Sequence, residues 1–465
     1  MSTSRHATAP SEARTGGHLL RILGVGFGIA VVLGNTIGSG ILLTPGNIAA
    51  QLKHPSLVIA LWAMGGVFAF FCTQSVIELS TMLPQAGGWF VYSRRAFGEY
   101  GGFLVGCCDW MVQSAAIAYL ASAFGEFLAD LANVPQGQVK LVATACLIAL
   151  MLLNLLGLRV GSRTQQITSL AKALALIAFV LACFLIHPNT TPIADVADHR
   201  LLQQPLPVML MALFVALQSI IVTYDGWYGA IYFAEEDENP ARNLPRSSIA
   251  GVLACAAIFL LVNAALLHVL PFSKLSASNM PVADAAYAVF GARGRIIILA
   301  ISMVTAISTI NASLLITPRI LFAMARCKLM PAWVSSVNAG GTPVGALLLG
   351  TAVPIALVLS GSFQTLLAMT SILFVAVYLS GFLAVFVLRI KEPDMPRPSR
   401  MWGYPWTNLA ICIGTSVFLI AAIFADLKHA LFTVVTNALT YPLYLLVKTA
   451  KSRKTEPPPL EVCGK

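Results

Sequence analysis

Charged residues are scarce in this chain of 465 residues. Asp, Glu, Lys and Arg make up 10% of it, against about 25% in a soluble domain. Hydrophobic residues make up 58%, and the mean hydropathy is +0.81. This composition excludes an ordinary soluble domain and indicates a membrane protein. We also expect no cleavable signal peptide, because the polar first 18 residues contain no apolar stretch.

The motifs of common enzymes are missing as well. The chain has no HExxH zinc-protease motif, no GxSxG nucleophile elbow, no GxxxxGK[ST] phosphate loop and no Cys-x-x-Cys pair. These absences disfavour an enzyme, a bound metal and a cofactor. Without an ATP-binding segment, any transport by this chain must run on gradients or on exchange.

Cysteine is absent from every predicted outer loop. The nine cysteines fall in apolar segments or in predicted inner loops, at positions 72, 107, 108, 146, 183, 255, 327, 412 and 463. We therefore expect free thiols that act as small core residues and no disulfide.

Twelve segments are long enough to cross a bilayer, for which about 20 apolar residues suffice. They predict an all-α membrane protein with twelve transmembrane helices. The segments cover residues 21–48, 56–83, 101–130, 139–158, 164–187, 207–235, 247–271, 297–325, 344–360, 365–390, 407–426 and 429–449.

Basic residues are distributed unevenly between the two sides. The side that holds both chain ends carries 21 of the 29 lysines and arginines, the other side carries seven, and only Lys172 falls within a span. The positive-inside rule therefore predicts that both ends are cytoplasmic, in an inner membrane. The net charge of +10 then reflects topology and predicts no nucleic-acid partner.

The first and sixth segments are interrupted by residues that do not suit a membrane helix. Gly38-Ser39-Gly40 divides the first, and Tyr224-Asp225-Gly226-Trp227 divides the sixth. An unwound backbone is tolerated at membrane depth only where it faces protein or a water-filled cavity. Its free N–H and C=O groups suit the carboxylate and ammonium of a zwitterion. For Gly-Ser-Gly alone, close packing of helices through small residues is an alternative.

The two interruptions lie five segments apart. This spacing predicts a five-plus-five inverted repeat, since an odd number of spans inverts the second half, and broken helices at matching positions are typical of a secondary transporter. The predicted units are a cytoplasmic tail at 1–20, repeats at 21–187 and 206–391, two appended helices within 407–450, and a second tail at 451–465.

Five motifs, in order along the chain, resemble those of the amino acid–polyamine–organocation superfamily. The third of them resembles the L-type amino-acid transporter branch, especially its prokaryotic members. The motifs are GNTIGSGI at 34–41 with Thr44-Pro45; Glu78-Leu79 with PQAGGWFVY at 84–92; Tyr224 to Trp227 with Glu235-Glu236, Asn239-Pro240 and NLPR at 243–246; TPRILFAMAR at 317–326 with Leu329-Met330-Pro331 and Thr342-Pro343; and Arg397-Pro398 with WGYPW at 402–406.

The resemblance implies which residues bind the substrate. The N–H groups and hydroxyl around Gly38, Ser39 and Gly40 would hold a carboxylate, while carbonyls near Thr36, Val222, Thr223 and Asp225 would receive an ammonium. The complete predicted site comprises Thr36, Ile37, Gly38, Ser39, Gly40, Val222, Thr223, Tyr224, Asp225, Gly226 and Trp227.

Two ionisable residues in the spans have alternative roles. Asp225 either caps a half-helix that starts at Gly226 or contacts a substrate cation or carries a proton. Lys172, about eight residues into the fifth segment, either extends to the interface or, as the resemblance implies, places its ammonium beside Thr309 where sodium-coupled relatives bind sodium. Glu78, Glu235 and Glu236 are expected to pair with loop arginines.

The resemblance implies a carrier of L-amino acids that works by alternating access, as a sodium-independent exchanger or a proton-coupled carrier. The alternative is an amino-acid sensor without net flux. Animal relatives carry a bulky aromatic residue where this chain has Val222, so small or medium neutral substrates are favoured. Animal relatives also join a heavy chain through a cysteine in the loop that corresponds to 130–138, and this loop contains none.

Overall fold

A computed structural model describes residues 18–133, 135–186, 205–361 and 363–452. Within these ranges the chain forms α-helices, short 3₁₀ turns and two isolated β-bridges, and no β-strand. The predicted tails and Cys463 lie largely or wholly outside them. The helices are α1 (Val25–Thr36), α2 (Gly40–Leu52), α3 (Pro55–Met82), α4 (Trp89–Ala132), α5 (Val139–Leu155), α6 (Leu158–Leu185), α7 (Leu206–Thr223), α8 (Pro240–Val269), α9 (Phe272–Ala277), α10 (Pro281–Phe290), α11 (Arg293–Arg326), α12 (Val344–Ser360), α13 (Phe363–Lys391), α14 (Trp406–Ala425) and α15 (Leu427–Ser452).

The membrane-spanning character predicted from composition is confirmed. Ten helical elements in the described ranges are long and apolar enough to cross a bilayer, and α1 with α2 adds an eleventh span bent by 49°. The apolar helix α12 has 17 residues, a rise of about 25 Å, slightly less than a hydrocarbon core of about 30 Å. Every predicted segment overlaps a helix, while twelve as the number of crossings stays a prediction.

Two helix starts differ from prediction for local reasons. Helix α4 begins at Trp89 and is kinked at Gly98, whose φ of +87° is not helical, so the predicted start at 101 lies just after the kink. Helix α6 begins at Leu158 and not at 164, since Arg159 and Arg163 ended the apolar run at the sequence level. Two short helices, α9 and α10, fill the predicted loop between α8 and α11 and pack on α2.

The broken elements lie at the centre of the bundle. Helix α1 packs against α6, α8 and α11, and the 3₁₀ turn Gly229–Phe233 after α7 packs against α1 and α11. Helix α4 crosses the same centre and packs against α11 and α13. The fold therefore surrounds both interruptions with protein.

Candidate functional site

The first interruption separates α1 from α2. Ile37 leaves the helical region (φ −80°, ψ 87°), and the helix resumes at Gly40. The N–H groups of Gly40 and Ile41 open α2 and, like the first N–H groups of any helix, have no intrahelical acceptor. Gly38 and Ser39 are half-buried. This arrangement presents backbone donors at a helix N-terminus in the middle of the protein.

The second interruption is longer than predicted. Helix α7 ends at Thr223, five turn residues follow, and a 3₁₀ turn covers Gly229–Phe233. The half-helix predicted to start at Gly226 is wrong, because Gly226 has φ +109°, which no right-handed helix contains. Asp225 therefore caps no such helix, and its Oδ1 accepts a hydrogen bond from Tyr378 Oη of α13.

The two interruptions are in direct contact. A Cβ on Gly226 would lie 2.5 Å from the carbonyl carbon of Asn35 and 2.6 Å from the nitrogen of Thr36. Asn35 Nδ2 donates to the Gly226 carbonyl at 3.5 Å, and Thr44 Oγ1 lies 3.2 Å from Thr223 Oγ1. The structure thus brings both groups of predicted site residues together.

Val222 differs from the other predicted site residues. Its side chain is 44% exposed, whereas Thr223, Tyr224 and Trp227 are buried. Thr223 points instead at the first interruption, where a Cβ on Gly40 would lie 3.0 Å from its Cγ2. The side chain of α7 that faces the first interruption is therefore Thr223.

Lys172 is fully buried. It is 14 residues into α6, about 21 Å along the axis. Its Nζ donates to the carbonyls of Gly34 and Ile37 at 2.8 and 2.6 Å, and to Thr309 Oγ1 at 3.4 Å. The ammonium therefore satisfies two carbonyls that the break in α1 sets free, and it connects α6 with α1 and α11.

A buried polar chain leads to Lys172, and sequence reasoning missed it. Asn154 Nδ2 donates to Asn311 Oδ1 (2.9 Å), Asn311 Nδ2 to Gln165 Oε1 (2.8 Å), and Gln165 Nε2 to Ser169 Oγ (2.9 Å), which lies one turn before Lys172. Two glycines leave the room that this polar chain needs. A Cβ on Gly34 would lie 1.8 Å from Gln165 Nε2, and one on Gly161 2.2 Å from Asn154 Oδ1.

Aromatic side chains pack around the second interruption. The Trp89 ring lies 6.0 Å from Trp227, 5.8 Å from Tyr228 and 5.3 Å from Tyr378, measured between centroids. Trp227 also stacks on Phe382 at 6.2 Å. Helices α4 and α13 thus close over the unwound segment with large, rigid side chains.

Ion pairs close the end of the bundle that carries the predicted inner loops. Glu236 forms a buried pair with Arg319 (2.9 Å), Glu235 pairs with Arg326 (2.6 Å), and Glu78 pairs with Arg389 (2.6 Å). The expected pairing of these glutamates with arginines is confirmed, but the three arginines lie in helices α11 and α13 and not in loops. The prediction that Lys172 alone lies within a span is wrong, because Arg319 is buried in α11, where it packs over the Phe233 ring.

The N-terminal segment completes this closure. Ile22 N and Leu23 N both donate to the Glu236 carbonyl at 3.0 Å, and Glu238 N donates to the Leu23 carbonyl at 2.9 Å. The residues before α1 are therefore joined by backbone hydrogen bonds to the loop that follows the second interruption.

Nothing in the described ranges resembles a metal centre: no three His, Cys, Asp or Glu side chains there are grouped to hold an ion. The polar groups that converge are backbone N–H and C=O groups, hydroxyls, one lysine and the Asp225 carboxylate. Such a set recognises a small zwitterion by hydrogen bonds and charge.

Comparison with known proteins agrees with this geometry. Residues 28–447 match the family model described as amino acid permease. The chain is 25% identical over 447 residues to the serine/threonine exchanger SteT of Bacillus subtilis (strain 168), covering 93% of this chain and 98% of that protein. It is 25% identical over 410 residues to the b(0,+)-type amino acid transporter 1 of Mus musculus (87% and 82% covered). It is 26% identical over 451 residues to the large neutral amino acids transporter small subunit 2 of Rattus norvegicus (89% and 82% covered).

Proposed function

Because this chain belongs to the amino acid permease family, we propose that it is a secondary active transporter that moves L-amino acids across the cytoplasmic membrane by alternating access. The observation that carries the proposal is the contact between the two broken elements at the centre of the bundle, where the unwound Gly226 lies against Asn35 and Thr36 at the end of α1. Broken helices that meet at the midplane are the typical substrate site of secondary transporters.

The substrate's charged ends have matching groups on the two segments. The free N–H groups at the start of α2, with the Ser39 hydroxyl, would hold the carboxylate at a positive helix end. Carbonyls around Thr36, Val222, Thr223 and Asp225 would accept the ammonium. Recognition through the backbone selects the class of L-amino acids and leaves the side chain to the surrounding pocket.

Lys172 supports a mechanism without sodium. Its ammonium holds the carbonyls of Gly34 and Ile37 and approaches Thr309 Oγ1, oxygens that a sodium ion would need as ligands. A fixed positive charge there engages the oxygens that would bind sodium, and it repels a second cation. Sodium-independent exchange and proton-coupled uptake are the two modes that remain.

We favour small or medium neutral substrates such as alanine, serine or threonine. The buried side chain of Thr223 faces the first interruption with its methyl and hydroxyl groups. The relative that matches over 98% of its length is by name a serine/threonine exchanger. In a competition panel, Ala and Ser should reduce uptake more than Trp and Phe; the reverse order would contradict this preference.

The decisive experiment is uptake of radiolabelled amino acids into proteoliposomes of the purified chain, with and without internal substrate. Uptake that requires internal substrate indicates exchange, and uptake without it indicates a coupled carrier. The alternative function, an amino-acid sensor, predicts binding without flux in either condition. A panel of all common L-amino acids that yields neither binding nor flux would contradict both.

A further inference from the structure

Asp109 is a buried carboxylate that the transport scheme above does not use. It lies in the middle of α4, is 3% exposed, and its Oδ2 accepts a hydrogen bond of 2.8 Å from Tyr232 Oη. Tyr232 belongs to the 3₁₀ turn after the second interruption. An ionisable residue in a membrane segment is costly to bury and marks a functional position.

The groups that face Asp109 do not supply a countercharge. Among the residues that the structure describes, its titratable neighbours are acids, phenols and a thiol. They are Asp225, Tyr228 and Tyr232 of the second interruption and Cys108 of α4, with Tyr92 of α4 reached through Tyr232 and Tyr378 of α13 through Tyr228.

The other helices packed on α4 add no countercharge near Asp109. Arg319 and Arg326 of α11 are engaged by Glu236 and Glu235. Arg389 of α13 is engaged by Glu78, and Lys391 of α13 donates to the Ala96 carbonyl. Helices α5 and α12 contribute apolar side chains to their contact with α4, and α15 brings Asn437 to Cys108. A carboxylate without a nearby cation is strongly disfavoured in such surroundings, which favours the protonated form of Asp109 while the inner end is closed.

We propose that Asp109 is a proton-binding site that couples transport to the proton gradient, an inference that rests on the function proposed above. With the inner end closed, the carboxyl group holds its proton beside Tyr232. When the inner end opens, the 3₁₀ turn and Tyr232 move away and cytoplasmic water reaches Asp109. The carboxyl then releases its proton to that water and becomes a carboxylate.

Polar side chains between Asp109 and the substrate site provide a path by which the next proton reaches Asp109. Gln113, one turn along α4, donates from Nε2 to Tyr228 Oη at 3.5 Å. The Tyr228 ring lies 5.2 Å from Tyr378, which donates to Asp225 at the substrate site. A proton taken from the outer solution binds the carboxylate, and the same proton later leaves inside. Each cycle thus moves one proton inward with one amino acid.

The test uses the full chain in proteoliposomes that contain the pH indicator pyranine. Addition of external L-serine to the wild type should acidify the lumen. Asp109→Asn still accepts the Tyr232 hydrogen bond but binds no proton. It should therefore retain serine counterflow within about twofold and lose the acidification. Asp130→Asn, on the exposed outer end of the same helix, is the matched control and should acidify like the wild type.

Several outcomes would overturn the inference. A wild type that exchanges serine without acidification refutes the proton site and leaves the transport function standing. Acidification by Asp109→Asn at the wild-type rate also refutes it. An absence of both flux and counterflow for every amino acid refutes the proposed function, and the proton site with it.

A second variant keeps the inference testable if Asp109→Asn does not fold. Tyr232→Phe keeps the carboxyl group and removes a donor that favours its ionised form. Loss of a hydrogen bond that favours the charged form makes that form harder to reach, so the pH of half-maximal uptake should rise by about one unit. An unchanged pH profile in Tyr232→Phe would contradict a proton site at Asp109.

Discussion

Lys172 fixes the local shape of the first interruption. Its three donors hold two carbonyls at the end of α1 and a hydroxyl of α11, which is the full donor capacity of an ammonium. We predict that Lys172→Ala lowers transport at least tenfold while the protein still elutes as a folded peak in size-exclusion chromatography. Arg163→Ala, on the same helix and exposed, is the control and should transport normally.

The same residue leads to a prediction about ions. Wild-type uptake should be equal in sodium and choline buffers, because the lysine ammonium takes the place that sodium would need between α1 and α11. A wild-type flux that collapses in choline and returns with sodium would show that Lys172 does not replace the cation.

Gly226 is the residue where the second interruption tolerates no side chain. Its φ of +109° disfavours any L-residue, and a Cβ would press on backbone atoms of Asn35 and Thr36. We predict that Gly226→Ala abolishes uptake or folding, because backbone atoms cannot move aside cheaply. Gly26→Ala is the control, since a Cβ at Gly26 meets nothing within 4 Å. Wild-type uptake by Gly226→Ala would contradict the contact between the two interruptions.

At the scale of elements, the buried pair of Arg319 and Glu236 joins α11 to the loop after the second interruption. Arg319 Nε and Nη2 donate to the two Glu236 carboxylate oxygens at 3.0 and 2.9 Å. Removing one partner of a buried pair costs about 3–5 kcal/mol, because it leaves an uncompensated charge. We predict that Arg319→Leu lowers the apparent melting temperature in detergent markedly.

The double variant separates charge from packing. Arg319→Leu with Glu236→Leu removes both charges and should recover most of the lost stability. Equal melting temperatures for the single and double variants would show that the Glu236 charge is not what destabilises Arg319→Leu.

Apolar length alone was sufficient to predict the positions of the long helices. Each predicted segment overlaps an observed helix, since about 20 apolar residues have few other stable forms in a bilayer. The short helices α9 and α10 were missed, because six and ten residues give no comparable signal. The start of α4 was missed because Arg94 and Arg95 interrupt its apolar pattern.

The candidate site was predictable where backbone chemistry determines it. Gly38 lies next to Ser39, and Gly226 next to Asp225, within otherwise apolar runs, so both interruptions could be predicted from the sequence. The sequence does not predict the Asp109–Tyr232 hydrogen bond or the amide chain from Asn154 to Ser169. They join residues far apart in sequence, and each residue alone looks like an ordinary buried polar side chain.

At the scale of the whole molecule, the two five-helix units, residues 21–187 and 206–391, remain predictions, as does the cytoplasmic position of both ends. The assignment of one end of the bundle to the cytoplasm rests on the excess of lysine and arginine in the loops near Glu78, Glu235 and Glu392. Labelling of single introduced cysteines by a membrane-impermeant maleimide, in a cysteine-free background, would test that assignment.

The chain should also work without a disulfide-linked heavy chain, although the rat relative is by name a small subunit. The loop between α4 and α5 contains no cysteine that an extracellular partner could reach. We predict one band near 49 kDa in electrophoresis without reductant, and full uptake by the purified chain alone. Residues 130–138 contain no cysteine, so a reducible heterodimer cannot be linked through them. A second protein that copurifies and is required for uptake would contradict the prediction.

The backbone hydrogen bonds of Ile22 and Leu23 with Glu236 and Glu238 have a mechanical consequence. They join the inner ends of both broken elements, so neither end can swing outward without pulling the other. The inner parts of the two elements should then move together as one rigid body, with the hinge at the interruptions. Opening toward the cytoplasm should accordingly appear in time-resolved measurements as one concerted step, with the same rate for probes placed on either element.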